Sequence, residues 1–299
     1  MLFWQVLIDG FAISSLYALG ATGFTLIFGV SGVLNLSHGA LMVAAAVAAW
    51  AANARFGSGP YLGALAGVAV GVLLALLTYG VVVSPIQRSR LIRTEEREIF
   101  VLTATLLWGI MFQELIAYFF SDSAKTVLPI VNGIVPWFGV RTPANEIFTA
   151  IVCWGAIGLL WLLVNRTRTG KAVMAASMNA RGVTLLGIEL SWIYLVVWII
   201  YGVLAGIAGV LLGMFLGVSS YSAAPLTGSA FSIVVLGGLG SVSGSLIAAY
   251  VVGYIETLTA YFDQIFGTNI GSTSYRFIPA LLLLVVVMYV RPRGLLGRR

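Results

Sequence analysis

Residues 190–255 read LSWIYLVVWIIYGVLAGIAGVLLGMFLGVSSYSAAPLTGSAFSIVVLGGLGSVSGSLIAAYVVGYI, 66 residues without one Asp, Glu, Lys or Arg. A helix needs roughly 20 apolar residues to cross a bilayer, so this stretch holds about three crossings. Further uncharged runs cover 10–54, 56–87 and 147–165, with room for about two, one and one crossings. Residues 99–120 are apolar around Gln113 and Glu114, and 277–290 form a short last span. Transmembrane β-strands alternate over about 10 residues with a polar lumen face, whereas these runs are apolar on every side. The fold class is therefore all-α: a polytopic transmembrane bundle of about eight spanning helices plus one broken or re-entrant helix.

Composition agrees. Charged residues make up 9% of the 299 and hydrophobic ones 60%, against about 25% charge in an average soluble domain. Mean hydropathy is +1.04. One Cys and one His exclude a disulfide framework and any multi-Cys/His metal site. The net charge of +6 does not imply nucleic acid, because the basic residues cluster where a membrane protein places them. The first residues do not read as a cleaved signal: no Lys or Arg precedes the apolar stretch, and Asp9-Gly10 interrupts it.

Basic loops mark the cytoplasmic side. Arg88, Arg90, Arg93 and Arg97 form one cluster. Arg166, Arg168, Lys171 and Arg181 form a second, and Arg291, Arg293, Arg298 and Arg299 a third. The isolated Arg55, Lys125, Arg141 and Arg276 fall in the opposite loops. With three crossings in 1–84, the N-terminus is expected outside. Between the second and third clusters the chain must cross an even number of times. Residues 191–217, 241–262 and 276–290 supply three, so 226–238 must supply the fourth. Thirteen residues reach only about 20 Å, so 226–244 is expected to be a broken or partly re-entrant helix, interrupted at Leu236-Gly237-Gly238-Leu239-Gly240-Ser241.

A similar interruption lies at 29–39, Gly-Val-Ser-Gly-Val-Leu-Asn-Leu-Ser-His-Gly. Non-helical backbone at membrane depth survives only where protein or a cavity satisfies it. Paired glycine interruptions in two halves point to a transporter with internal repeats and its path at the breaks; chance similarity of Gly-rich sequence is the alternative. The candidate path residues are Asn35, His38, Gly39, Gly237, Gly238, Gly240 and Ser241. Glycines at 59, 63, 67 and 71, and at 202, 206, 209, 213 and 217, make small-residue stripes suited to close helix packing, within the chain or against a second subunit.

Enzyme chemistry is not indicated. HExxH, GxSxG and paired-cysteine patterns are missing, as is the GxxxxGK[ST] phosphate loop. Gly238 and Gly240 fit a dinucleotide fingerprint but Ser243 stands at its last glycine. No catalytic residue, metal or cofactor is expected, and any ATP-driven step belongs to another polypeptide.

Four stretches in order resemble the permease subunits of branched-chain amino acid ABC importers, of the shorter LivH type. The first runs from Ser15-Leu16-Tyr17-Ala18-Leu19 through Gly23–Gly29 to Asn35-Leu36-Ser37-His38-Gly39, where the family usually shows Asn-Phe-Ala-His-Gly. The second runs from Arg166-Thr167-Arg168-Thr169-Gly170-Lys171-Ala172 through Asn179 to Leu185-Leu186-Gly187-Ile188. The third is Phe231–Ser241 ending at Gly244, and the fourth is Arg291-Pro292-Arg293-Gly294-Leu295-Leu296-Gly297. The resemblance implies one permease domain over 1–299 in the bacterial inner membrane. It implies a pore of two permease subunits, two cytoplasmic ATPase subunits and an external substrate-binding protein, and no nucleic acid. The cargo implied is a branched-chain or related amino acid. Relatives with the same motifs carrying urea or amides are the alternative cargo class, and an ion-coupled secondary transporter the alternative mechanism. Segment 165–190 would couple to the ATPase through Thr169, Gly170, Lys171, Ala172, Val173, Asn179, Leu186 and Gly187. Met174 and Met178 stand where charged residues are usual, so packing is expected to outweigh ion pairs, with Ala172, Val173, Ala176 and Met178 as the docking face.

Individual residues have competing readings. His38 is either a proton relay or a structural histidine satisfying loose backbone groups, and Asn35 either lines the path or caps the following helix. Glu114 and Glu256 sit inside apolar spans, where acids are functional candidates; snorkelling or bonding to a neighbouring helix is the structural reading. Cys153 is expected to be a small packing residue.

Overall fold

The computed structural model describes residues 2–93, 95–137, 139–266, 278–291 and 294–296. Arg276, Pro292, Arg293, Gly297, Arg298 and Arg299 lie outside the described residues. Helix α1 spans Leu2–Ser31 and α2 His38–Phe56. Helix α3 (Pro60–Leu77) passes through a π-helical turn, Thr78–Val83, into α4 (Ser84–Arg88). Then come α5 (Arg97–Phe120), strands β1 (Ile134–Trp137) and β2 (Val140–Pro143), and α6 (Ala144–Arg166). Two short helices follow, α7 (Arg168–Met178) and α8 (Ala180–Leu185), then α9 (Leu190–Phe215). The chain ends with α10 (Ala223–Gly237), α11 (Val242–Phe266) and α12 (Ile278–Val290).

Seven helices among the described residues are long and apolar enough to span a membrane, counting α3 to α4 as one. Helices α10 and α12 are shorter, with 15 and 13 residues. Helix α10 therefore reaches only about 22 Å; it runs unbroken to Gly237, and the interruption expected within 226–244 is the turn between α10 and α11. The near end of α10 is fastened to the C-terminal side: Leu295 N–H donates to Leu236 O at 2.8 Å, and Leu296 N–H to Gly237 O at 3.0 Å. Its far end joins the opposite loops, where Ser220 Oγ donates to Asp122 at 3.0 Å and Lys125 pairs through backbone with Val218.

The all-α bundle carries one small addition, an antiparallel hairpin of β1 and β2 in the loop between α5 and α6. Gly139 turns it at φ +79°, and β-branched Ile134, Val135, Val140 and Thr142 favour extended backbone. The first interruption is shorter than the expected 29–39. Helix α1 continues through Ser31 and ends where Gly32 takes φ +67°, so only 32–37 are non-helical.

The core gathers around α1, α2 and α9, where Phe24, Leu41, Trp198 and Tyr201 are fully enclosed. The glycine stripes pack inside the chain. A Cβ on Gly71 would lie 2.8 Å from the Gly206 Cα, and one on Gly202 2.7 Å from the Val72 Cα. Helices α3 and α9 thus touch backbone to backbone, which lipid alone does not drive and small residues permit.

Candidate functional site

Helix α2 begins inside the membrane. A Cβ on Gly20 would lie 3.4 Å from His38 Nε2, and Gly20 is eleven residues, about 16 Å, before the end of α1. Residues 32–37 therefore climb back to mid-depth as irregular chain, whose free backbone groups lipid cannot satisfy. Side chains from two other helices, and Asn35 within the segment, do so. Leu36 N–H donates to Thr105 Oγ1 of α5 at 3.1 Å, and Gly39 N–H to Thr227 Oγ1 of α10 at 2.9 Å. Asn35 Oδ1 accepts from the Ser37 N–H at 3.1 Å and the Ser37 hydroxyl at 2.7 Å.

The Tyr201 hydroxyl of α9 closes the arrangement. Asn35 Nδ2 donates to it at 3.0 Å, and His38 Nδ1 lies 2.9 Å from it. An amide nitrogen only donates, so the tyrosine proton is left for His38 Nδ1, which fixes the imidazole with its hydrogen on Nε2. Nε2 has no partner among the described residues and meets Phe24 edge-on, with ring centroids 5.4 Å apart. His38 and Asn35 are 0% and 1% exposed. Both bond within the chain, and among the described residues no acidic group bonds to His38.

The second interruption is built differently. Gly238 and Gly240 take φ +103° and +81°, values that favour glycine. Ser241 Oγ accepts from the Gly244 N–H at 3.2 Å and starts α11. Gly237 and Gly244 are in backbone contact, and a Cβ on Gly294 would lie 2.6 Å from the Gly238 N. This break sits at the end of the bundle that carries α7, not at mid-depth. Gly240 and Ser241 open onto a cavity of about 540 Å³ shared with Gly29 of α1 and Val173, Met174 and Met178 of α7. Two regions singled out separately thus meet in space, while Asn35, His38 and Gly39 lie elsewhere.

Helix α7 starts from a Thr167 cap, whose Oγ1 accepts the Gly170 N–H at 2.9 Å. Asn179 caps α8 in the same way through Gly182. A Cβ on Gly170 would collide with the Leu163 carbonyl and Val164 of α6, so the glycine lets α7 fold tightly under the bundle. The expected docking face is partly reversed. Val173 and Ala176 point into the bundle at 2% and 3% exposure, because α7 spends its apolar stripe on the protein's own underside. Met174, Met178, Leu185 and Leu186 are the large apolar side chains left exposed, Leu186 at 78%. Thr169, Lys171 and Gly187 are exposed beside them, and Ala172 is half-buried.

The two intramembrane acids diverge. Glu256 is 2% exposed and accepts from Tyr17 of α1 at 2.5 Å and Ser229 of α10 at 3.1 Å. It pins three helices together. Glu114 stands on the exposed face of α5. Cys153 is buried among apolar neighbours. Sequence reasoning missed Thr105, Tyr201 and Thr227; a polar side chain in the middle of an apolar run was the available signal for each.

A polytopic helical bundle with a short tenth helix and a capped pair of short helices between two long ones is the architecture of a multi-pass inner-membrane permease. The family model for the branched-chain amino acid transport system permease component matches residues 6–288. The chain belongs to that family, the permeases of ABC importers. It is 29% identical to the high-affinity branched-chain amino acid transport system permease protein LivH of Escherichia coli K12, over 99% of this chain and 96% of the relative. It is 30% identical to the corresponding permease BraD of Pseudomonas aeruginosa, over 98% and 95%. A more distant relative, at 26% over 92% of this chain and 82% of its own length, is the ribose import permease protein RbsC of Escherichia coli K12.

Proposed function

We propose that this chain is a membrane-spanning permease subunit importing branched-chain or related amino acids. A second permease subunit, two cytoplasmic ATPases and an external binding protein would complete the importer, and ATP hydrolysis would belong to the ATPases alone. The observation that carries the reading is similarity along nearly the whole chain to permeases of that cargo class. The ribose relative is less similar and matches over less of its length. Helices α7 and α8 would receive the ATPase stroke. Support comes from their place between spans on the basic side, and from Met174, Met178, Leu185 and Leu186 turned outward where no bundle residue covers them. The cavity linking α7 to the Gly240 turn gives the stroke a route to α10 and α11.

Purification of the chain from native membranes is expected to bring down an ATPase carrying the phosphate loop this chain lacks. The complex, reconstituted with its binding protein, is expected to take up labelled leucine in preference to ribose or urea. Uptake of ribose or urea alone would replace the cargo; uptake without any ATPase would replace the mechanism. Leu186→Glu is expected to leave thermal stability unchanged and to abolish substrate-stimulated hydrolysis.

A further inference from the structure

Helix α5 is the least buried of the seven long helices. Its outward face carries Leu107, Met111, Glu114, Leu115 and Tyr118. The outward faces of the other spans differ in one respect. Leu65 and Leu73 on α3, Ile151 and Trp154 on α6, and Leu258 on α11 are typical, and all are apolar. Among the described residues, Glu114 is the one charged side chain that is exposed and more than one turn from either end of its span; exposed Arg55, Arg88, Glu98 and Arg166 all lie in a first or last turn. Asp9 accepts a bond from Tyr261, and Glu256 is enclosed. Glu114 has no bonding partner among the described residues.

Glu114 lies six residues, about 9 Å, from the outer end of α5. A carboxylate facing hydrocarbon there is costly, so such residues face a water-filled cavity or another protein group. The surroundings suit a particular visitor. Glu114 borders an open depression of about 570 Å³ whose other walls are Met111, Leu115, Ala117, Tyr118 and Asp122, and the Asp122 carboxylate is already engaged by the Ser220 and Tyr221 hydroxyls. An apolar wall beside one unpaired carboxylate complements a molecule with an apolar side chain and an ammonium group. We propose that the outward face of α5 lines the aqueous translocation path, and that Glu114 pairs with the ammonium of the passing amino acid. The second half of this statement rests on the amino-acid cargo proposed above; the first half does not.

The test uses the full importer in membranes. The chain's single cysteine, Cys153, is buried, so an introduced thiol is read against a silent background. Glu114→Cys is expected to react with a membrane-impermeant maleimide and to be protected during turnover with leucine-loaded binding protein. Ile151→Cys, exposed on α6 at matching depth, is expected to stay unlabelled. Equal failure of both positions to react would overturn the aqueous face. Glu114→Gln is expected to cut leucine uptake about tenfold or more, the value of one charged bond, with unchanged thermal stability; Glu114→Asp is expected to restore most of it. Wild-type uptake by Glu114→Gln would overturn the pairing. An importer that carries only ammonium-free cargo while Glu114→Cys still reacts would sink the amino-acid reading and the pairing, and leave the aqueous face standing.

Discussion

The interruptions at 32–37 and 238–241 are both rich in glycine and small polar residues, yet they are opposite kinds of structure. The first lies at mid-depth and is held by side chains from α5, α9 and α10. The second lies at the end of the bundle beside α7, is held by backbone turns and the returning C-terminal segment, and borders a cavity. A buried break must find fixed partners for each freed group, since nothing else can satisfy them. A break at the membrane edge has water and neighbouring backbone available, and is less tightly held. The first is a fastening and the second a joint.

Mutations separate the two. The largest effect is expected from Gly39→Leu, whose side chain would drive into the Ala223 carbonyl and Thr227. Overpacking against backbone should cost about 3 kcal/mol or more, read as loss of monodisperse protein in detergent. Next is Tyr201→Phe, which leaves both Asn35 and His38 short of a partner. About 2–3 kcal/mol is expected, measured as a lower melting temperature with uptake falling in proportion. Thr105→Val strands only the Leu36 N–H, for about 1–2 kcal/mol. The smallest stability effect should come from Gly240→Leu, where the left-handed backbone costs about 1 kcal/mol and a Cβ would meet only the Gly29 Cα, at 3.6 Å, an ordinary contact. That variant should assemble yet lose uptake, whereas Gly240→Asn, which tolerates such backbone, should keep part of it. If Gly240→Leu melts as low as Gly39→Leu, the distinction between fastening and joint fails.

The spans were legible because charge is costly in lipid, so its absence from 190–255 or 147–165 maps directly onto helices. Even the shortened α10 followed from counting crossings between basic clusters. Helix ends within glycine-rich stretches were less legible: Gly29 stays helical against the Gly240 turn while Gly32 takes φ +67°, and glycine type alone does not distinguish the two. At the candidate sites, Asn35, His38 and Gly170 stood out by type and position. What each touches did not, because Thr105, Tyr201 and Thr227 come from distant parts of the chain. The inward turn of Val173 was hidden for a related reason. An amphipathic helix shows that it has an apolar side, not whether its own protein or a partner claims it.

The bonds from Leu295 and Leu296 to the end of α10 also set an order of assembly. Helix α10 leaves the ribosome with its last carbonyls unclaimed, and the groups that claim two of them are made only after α11 and α12 have been threaded. Until then the joint is unfinished. A chain stopped after α12 would hold all the long helices among the described residues and still lack the clasp on the end of α10.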